Sequence, residues 1–237
     1  HAKLQQTELK DVIRPTFRPD RAMNIFKPDW CDYISELGER TGLRLDSVHK
    51  LCEALQITHD YFADNGCVAS DHGVEVPYGY QVAAEDADAV FKKALKHEEL
   101  TEKETIAFMS YILNEVAAMD AAKGWVFQLH VGAVRDTRTS IYKQIGPDAG
   151  GDVSDHRTDI LKPVLPLLNR FDDRLKVVFY SLAPNHQSTL AALCRAFGEK
   201  VNLGAAWWLN DSRIGMKRQV EYIGTVDMLA NFTGMVS

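Results

Sequence analysis

Apolar residues in this chain gather into short runs of two kinds. Near-continuous runs bounded by Gly, Pro, Asn or Asp predict buried strands, and they fall at Val12 to Phe17, Cys67 to Ser70, Trp125 to Gly132, Lys176 to Leu182, Val201 to Leu209 and Phe232 to Val236. Runs with apolar residues three and four apart predict amphipathic helices. Between residues 30 and 66 they recur as Trp30, Tyr33, Ile34 and Leu37, then Val48, Leu51 and Leu55, then Tyr61 and Phe62, a set of short helices with Asp46 as an N-cap. A charged helix follows over Ala84 to Lys96. Thr101 to Glu104 (TEKE) is a capping box, and Ile106, Met109, Ile112, Leu113, Val116 and Met119 form one stripe behind it, with Gly124 as the stop. Further helices are predicted over Ile160 to Phe171, Ser188 to Phe197 with Gly198 as cap, and Ile214 to Ile223. Pro163 and Pro166 fall near a helix start, where a missing amide costs least.

From Gly124 onward strand and helix alternate, which implies a parallel sheet covered by helices and hence the α/β class. Residues 21–66 and 77–123 read as helical insertions. With no internal repeat, low-complexity tract or linker, the whole chain, 1–237, reads as a single domain.

Composition narrows the function. The 237 residues are 46% hydrophobic and 25% charged with a net charge of -6, an ordinary globular balance that excludes disorder. No basic, aromatic-interleaved stretch is present to neutralise phosphates, so nucleic acid is not an expected partner. No apolar run reaches the roughly 18 residues of a membrane span. Cys31, Cys52, Cys67 and Cys194 form no CxxC pair, so reduced thiols and a cytoplasmic setting are expected. The chain starts at His1 without Met or a signal-peptide pattern and stops straight after an apolar run, which reads as cut at both ends.

In a parallel α/β fold, ligands bind at the carboxyl ends of strands. The residues just past the apolar runs are Arg18 and Asp20; Asp71 and His72; His130 with Arg135; Asn185 and His186; and Trp207, Trp208, Asn210 and Asp211. His130 lies within an apolar stretch, where an imidazole needs a partner, so it is either a hydrogen-bonded core residue or a metal ligand beside Gly132. A metal would need more ligands, for which His72 and His186 are the available imidazoles. The Arg18 guanidinium suits a carboxylate or phosphate, the alternative being an ion pair with Asp20. Trp207 and Trp208, on a strand, would point to opposite faces, one toward the core and one toward the C–H face of a sugar. The GPDAGG segment, Gly146 to Gly151, lacks the lysine of a P-loop, and no GxSxG marks a serine nucleophile.

Thr16 to Asp20 (TFRPD), Gly66 to His72 (GCVASDH), Gln128 to Ala133 (QLHVGA), Asn202 to Asp211 (NLGAAWWLND) and Gly215-Met216 together resemble the uronate isomerases, also called glucuronate isomerases, along almost the whole chain. The resemblance implies a distorted (β/α)8 TIM-like barrel of the amidohydrolase superfamily, here incomplete, with about six of the eight strands. It implies interconversion of D-glucuronate with D-fructuronate and of D-galacturonate with D-tagaturonate through an enediol, with a divalent metal, commonly zinc, as cofactor. By motif, His130 corresponds to a metal-site histidine, Arg18 to the carboxylate-binding arginine and Trp207 or Trp208 to the aromatic wall, with Asp71, His72 and Arg135 as pocket residues. The family's HxH on the first strand and last-strand aspartate are expected outside this sequence, which implies a fragment inactive alone. Its partner is a uronate, with a homo-oligomer left open. A hydrolase of the same superfamily and a noncatalytic sugar-acid-binding fragment are the competing readings.

Overall fold

The structure is a computed structural model and describes residues 2–10 and 12–232. In chain order its helices and strands begin α1 (Asp20–Met23), α2 (Trp30–Thr41), α3 (Val48–Asp64), β1 (Ala69–Val74), α4 (Ala84–Leu95), α5 (Glu102–Lys123) and β2 (Val126–Val131). They continue as β3 (Ala133–Val134), α6 (Thr139–Ile145), β4 (Val153–Ser154), α7 (Leu165–Arg170), β5 (Lys176–Ser181), α8 (Pro184–Phe197), β6 (Val201–Leu203) and α9 (Arg213–Thr225). A four-stranded sheet has the order β1-β2-β5-β6, and β3 and β4 form a separate antiparallel pair. β5 and β6 are parallel, with Val177 opposite Val201. The amides of Val126 and Gly132 donate to the carbonyls of Val68 and Val74, so β1 and β2 also run in one direction. The α/β class with a parallel sheet is therefore as expected.

Two compact units divide the chain: His1–Asp71, Tyr78–Phe127 and Val164–Leu175 make one, and His72–Pro77, Gln128–Pro163 and Lys176–Ser237 the other. The first holds α1 to α5 and α7. Its core is aromatic: Trp30 meets Phe91 and Phe108 edge-on at 5.5 and 5.8 Å, and its indole N–H donates to the Ala22 carbonyl at 2.9 Å. α5 forms as its capping box predicts, with the Thr101 hydroxyl accepting from the Glu104 amide, the Glu104 carboxylate accepting from the Thr101 amide, and Gly124 closing the helix in the left-handed region at φ 66. Its buried face is shifted from the expected stripe. Phe108 is fully buried, and Ile106 and Met109 only half so.

The second unit holds β5, β6, α8 and α9 with the β3–α6–β4 excursion. α8 starts at Pro184, earlier than expected, because proline at the first helical position gives up an amide that has no partner there. The Ser212 hydroxyl caps α9 by accepting from the Gly215 amide at 3.1 Å.

Several expectations are corrected. Val12 to Phe17 makes no strand. Pro15 removes a ladder donor, and only Phe17 pairs, as a single parallel bridge to Ser70. Asp71 and His72 lie inside β1 rather than beyond it, on a strand of alternating burial. Ser47, not Asp46, caps α3 by accepting from the Lys50 amide. The helix expected over Ile160 to Phe171 is shortened to α7, with Pro166 in its first turn. The run Val201 to Leu209 is a strand only to Leu203, after which Trp208–Asn210 form a 3-10 turn with Trp208 at φ 42. The strand expected over Phe232 to Val236 lies, but for Phe232, outside the described residues. Among the described residues no helix is long and apolar enough to cross a membrane.

Candidate functional site

In the second unit a row of rings leads outward from the core. Tyr180, on β5, is buried and lies nearly parallel to the His130 ring, with centroids 4.4 Å apart and planes at 13°. The tyrosine hydroxyl donates to Gln128 Oε1 at 3.1 Å. Beyond His130, Trp207 stands edge-on at 4.5 Å, and Trp208 follows at 4.8 Å, tilted by 32°. The two indoles therefore share one cluster and do not point to opposite faces, because the chain has left the strand before it reaches them. Arg135 ends the row, its guanidinium 5.2 Å from the Trp208 ring centroid. Asp148 and Asp152 hold the same guanidinium at 3.2 and 3.3 Å.

Asn210 fixes the segment that carries the tryptophans. Its amide donates to the carbonyls of Ser181 and Leu182, both at 2.9 Å, clamping the turn to the end of β5. The α9 backbone comes so close behind it that a Cβ on Gly215 would stand 2.2 Å from the Asn210 carbonyl oxygen. Asn210 is thus a structural clamp, while Asp211 is exposed. Asn185 and His186 lie in the first turn of α8, and a Cβ on Gly132 would stand 3.6 Å from His186 Nδ1. Burial pushes the His186 imidazole down, with the backbone at His156 and Thr158 opposing the shift. His72 is buried within β1.

In the first unit Arg18 follows the Phe17 bridge. Its Nε donates to Asp20 at 3.1 Å, its NH1 group lies 3.7 Å from Asp71, and its side chain remains 49% exposed. It borders a cavity of about 250 Å³ together with Arg21, Tyr33 and Arg40. Ion pairing to Asp20 and recognition of an incoming carboxylate are thus compatible, because about half of the side chain still faces solvent.

A divalent metal does not fit the described residues by themselves. Among them no group of three or more His, Cys, Asp or Glu side chains could hold one, and the His130 ring is engaged on one face by Tyr180 and met by the edge of Trp207. All four cysteines are free thiols. Burial raises each of them, Cys52 and Cys194 to about 12, which leaves none suited to act as a nucleophile.

Sequence reasoning missed Tyr180, Gln128, Asp152 and the buried group formed by His59, Ser70 and Asp120. Tyr180 lies in an apolar strand run and reads as plain core. The partners of the others are separated by 15 to 60 or so positions along the chain, a spacing with no local signature.

Comparison with known proteins covers the entire chain. The family model described as glucuronate isomerase matches residues 1–237. The uronate isomerase of Thermotoga sp. (strain RQ2) is 41% identical over 237 residues, which is 100% of this chain and 52% of that protein. Among solved structures, the uronate isomerase of Thermotoga maritima superposes with a TM-score of 0.92 at 42% identity, covering 94% of this chain and 49% of that one. The glucuronate isomerase of Caulobacter crescentus gives 0.85 at 27% identity, covering 92% and 46%. The chain spans about half the length of the curated relatives it matches.

Proposed function

The chain belongs to the glucuronate isomerase family, and we propose that it forms part of an aldose–ketose isomerase acting on uronates within a (β/α)8 barrel of the amidohydrolase type. The reaction interconverts D-glucuronate with D-fructuronate and D-galacturonate with D-tagaturonate by moving a proton between C2 and C1. The observation that carries this reading on the chain itself is Arg18, a half-exposed side chain lining a cavity, its guanidinium bonded to Asp20 and near Asp71. Such a fork accepts the C6 carboxylate in two parallel hydrogen bonds and thereby selects sugar acids over neutral sugars.

In this reading Asp71 joins Arg18 as a uronate-binding residue of the first unit, and His72, Arg135, Trp207 and Trp208 are the substrate-binding residues of the second, the tryptophans offering an aromatic face to the C–H face of a sugar. His130 is the residue that the resemblance assigns to a divalent metal, zinc in that resemblance. The chain alone binds a uronate without turning it over. A cytoplasmic location belongs to the same reading.

Proton NMR of D-glucuronate and D-galacturonate mixed with the chain, with and without zinc, tests it. Saturation transfer from protein to at least one uronate, with no ketose resonances, is expected. Absence of transfer to both sugars overturns the binding assignment, and ketose formation overturns the claim that the chain alone is inactive.

A further inference from the structure

A fully buried chain of polar groups runs beneath Arg18 and Asp71 in the first unit. Asp120, near the end of α5, accepts a hydrogen bond from the Ser70 hydroxyl through Oδ2 and pairs through Oδ1 with Nε2 of His59 at 2.9 Å. His59, Ser70 and Asp120 are each 0% exposed. Removing a carboxylate from water is tolerated only where its oxygens are satisfied, so both contacts fix the geometry tightly. His59 is itself held by rings: Trp125 stacks on it at 4.0 Å, and Phe17 meets it edge-on at 5.2 Å.

The two outer members of this group touch the two backbone positions that carry the candidate site. Ser70 precedes Asp71 and pairs with Phe17, which precedes Arg18. The Phe17 amide donates to the Ala69 carbonyl at 3.1 Å, and the Asp71 amide donates to the Phe17 carbonyl at 2.9 Å. Because Phe17 is a lone bridge rather than part of a strand, no ladder holds it on its other residues. It is held by these two bonds, by edge-on ring contacts to His59 at 5.2 Å and Phe62 at 5.4 Å, and by the serine anchored by Asp120.

We infer that His59, Asp120 and Ser70 are positioning residues that set the Phe17–Ser70 register and, through it, the relation of Arg18 to Asp71. The effect on uronate binding rests on the function proposed above; the effect on Arg18 does not. Loss of the serine hydroxyl leaves an Asp120 oxygen unsatisfied and loosens the bridge, and a displacement of a fraction of an ångström is enough to spoil a bidentate clamp.

The test compares Ser70→Ala with Ser70→Thr, which keeps a hydroxyl, and with Leu113→Ala, a truncation in the buried face of α5 that leaves all three groups intact. The readouts are the Arg18 Nε–Hε resonance in ¹⁵N NMR and the Kd for D-glucuronate, both measured well below each variant's Tm. Ser70→Ala is expected to shift the resonance and weaken binding by about tenfold, while Ser70→Thr restores both and Leu113→Ala changes neither. An unchanged Arg18 resonance in Ser70→Ala, or an equal shift in Leu113→Ala, overturns the inference. If Ser70→Ala does not fold, Asp120→Asn, which is isosteric, is read in the same way. Should the unaltered chain not bind glucuronate, the functional reading fails while the Arg18 resonance still decides this one.

Discussion

Gly204 lies against Tyr180 so closely that a Cβ on it would stand 2.0 Å from the ring's Cε1. The glycine is required by contact with an aromatic ring, and that ring in turn backs His130. Gln219, from α9, donates to the Gly204 carbonyl at 2.8 Å and keeps the backbone from retreating. Gly204→Ala must therefore displace the tyrosine, at an overpacking cost of about 1–3 kcal/mol. Denaturant unfolding should show that loss, and near-UV circular dichroism should change with it. A stability equal to that of the unaltered chain would mean that the ring is not held there.

The Tyr180 hydroxyl is a separate matter from its ring. Tyr180→Phe keeps the stack on His130 and removes the hydroxyl with its bond to Gln128, so a loss of about 0.5–1.5 kcal/mol is expected with the aromatic spectrum nearly unchanged. Replacement by leucine removes both, and its larger loss should be visible in the same titration.

The His186 imidazole is pushed below its ordinary value of 6.5 by burial. The unfolded chain then binds that proton more readily than the folded one, so stability rises with pH across the interval. Its full contribution is present above pH 6.5 and is lost as the pH falls from there toward the depressed folded value. Thermal unfolding of His186→Asn should show a shallower fall of Tm over this range than the unaltered chain. Parallel profiles would contradict the assignment.

Glu104 is shifted in the same direction, downward, but as a carboxyl it is the charged form that the fold favours. The Thr101 amide foremost, then Lys93 and the Thr101 hydroxyl, hold its carboxyl down to about 2 against an ordinary 4.5. Its contribution to stability is present above pH 4.5 and is lost as the pH falls through about 2. Glu104→Gln should flatten the acid limb of the stability profile and fray the start of α5, which amide exchange at Thr101 to Thr105 would register.

Local features of this fold were legible where a few neighbouring residues decide the outcome. The capping box at Thr101 and Glu104 and the glycine stop at Gly124 are closed within one turn of chain, and α5 follows them. The ends of the parallel strands were read less well. Asp71 and His72 are polar, yet they continue β1, because one of them faces a buried layer and the strand is paired by distant residues. Trp207 and Trp208 look like the end of an apolar strand, but the Asn210 amide, reaching back to Ser181 and Leu182, turns the segment into a 3-10 bend. For the candidate site, Arg18, Asp71, His130 and Arg135 were visible as polar residues beside apolar runs. Their supports, Tyr180 and Asp120, were invisible because a buried residue declares its partner only in three dimensions.

Calorimetric titration with D-glucuronate and with D-glucose, on the unaltered chain and on Arg18→Met, decides whether Arg18 recognises the carboxylate of a sugar acid. Arg18 is half exposed and its ion pairs contribute at most about 1 kcal/mol to stability, so the variant should fold normally. Each charge-assisted bond it gave to a carboxylate is worth about 1.5–3 kcal/mol, which predicts a loss of at least about tenfold in affinity for glucuronate. Binding of glucuronate by the unaltered chain is expected, with little or none by Arg18→Met and none of glucose by either. Equal affinity of the two proteins for glucuronate, or equal affinity of the unaltered chain for the acid and the neutral sugar, would contradict it.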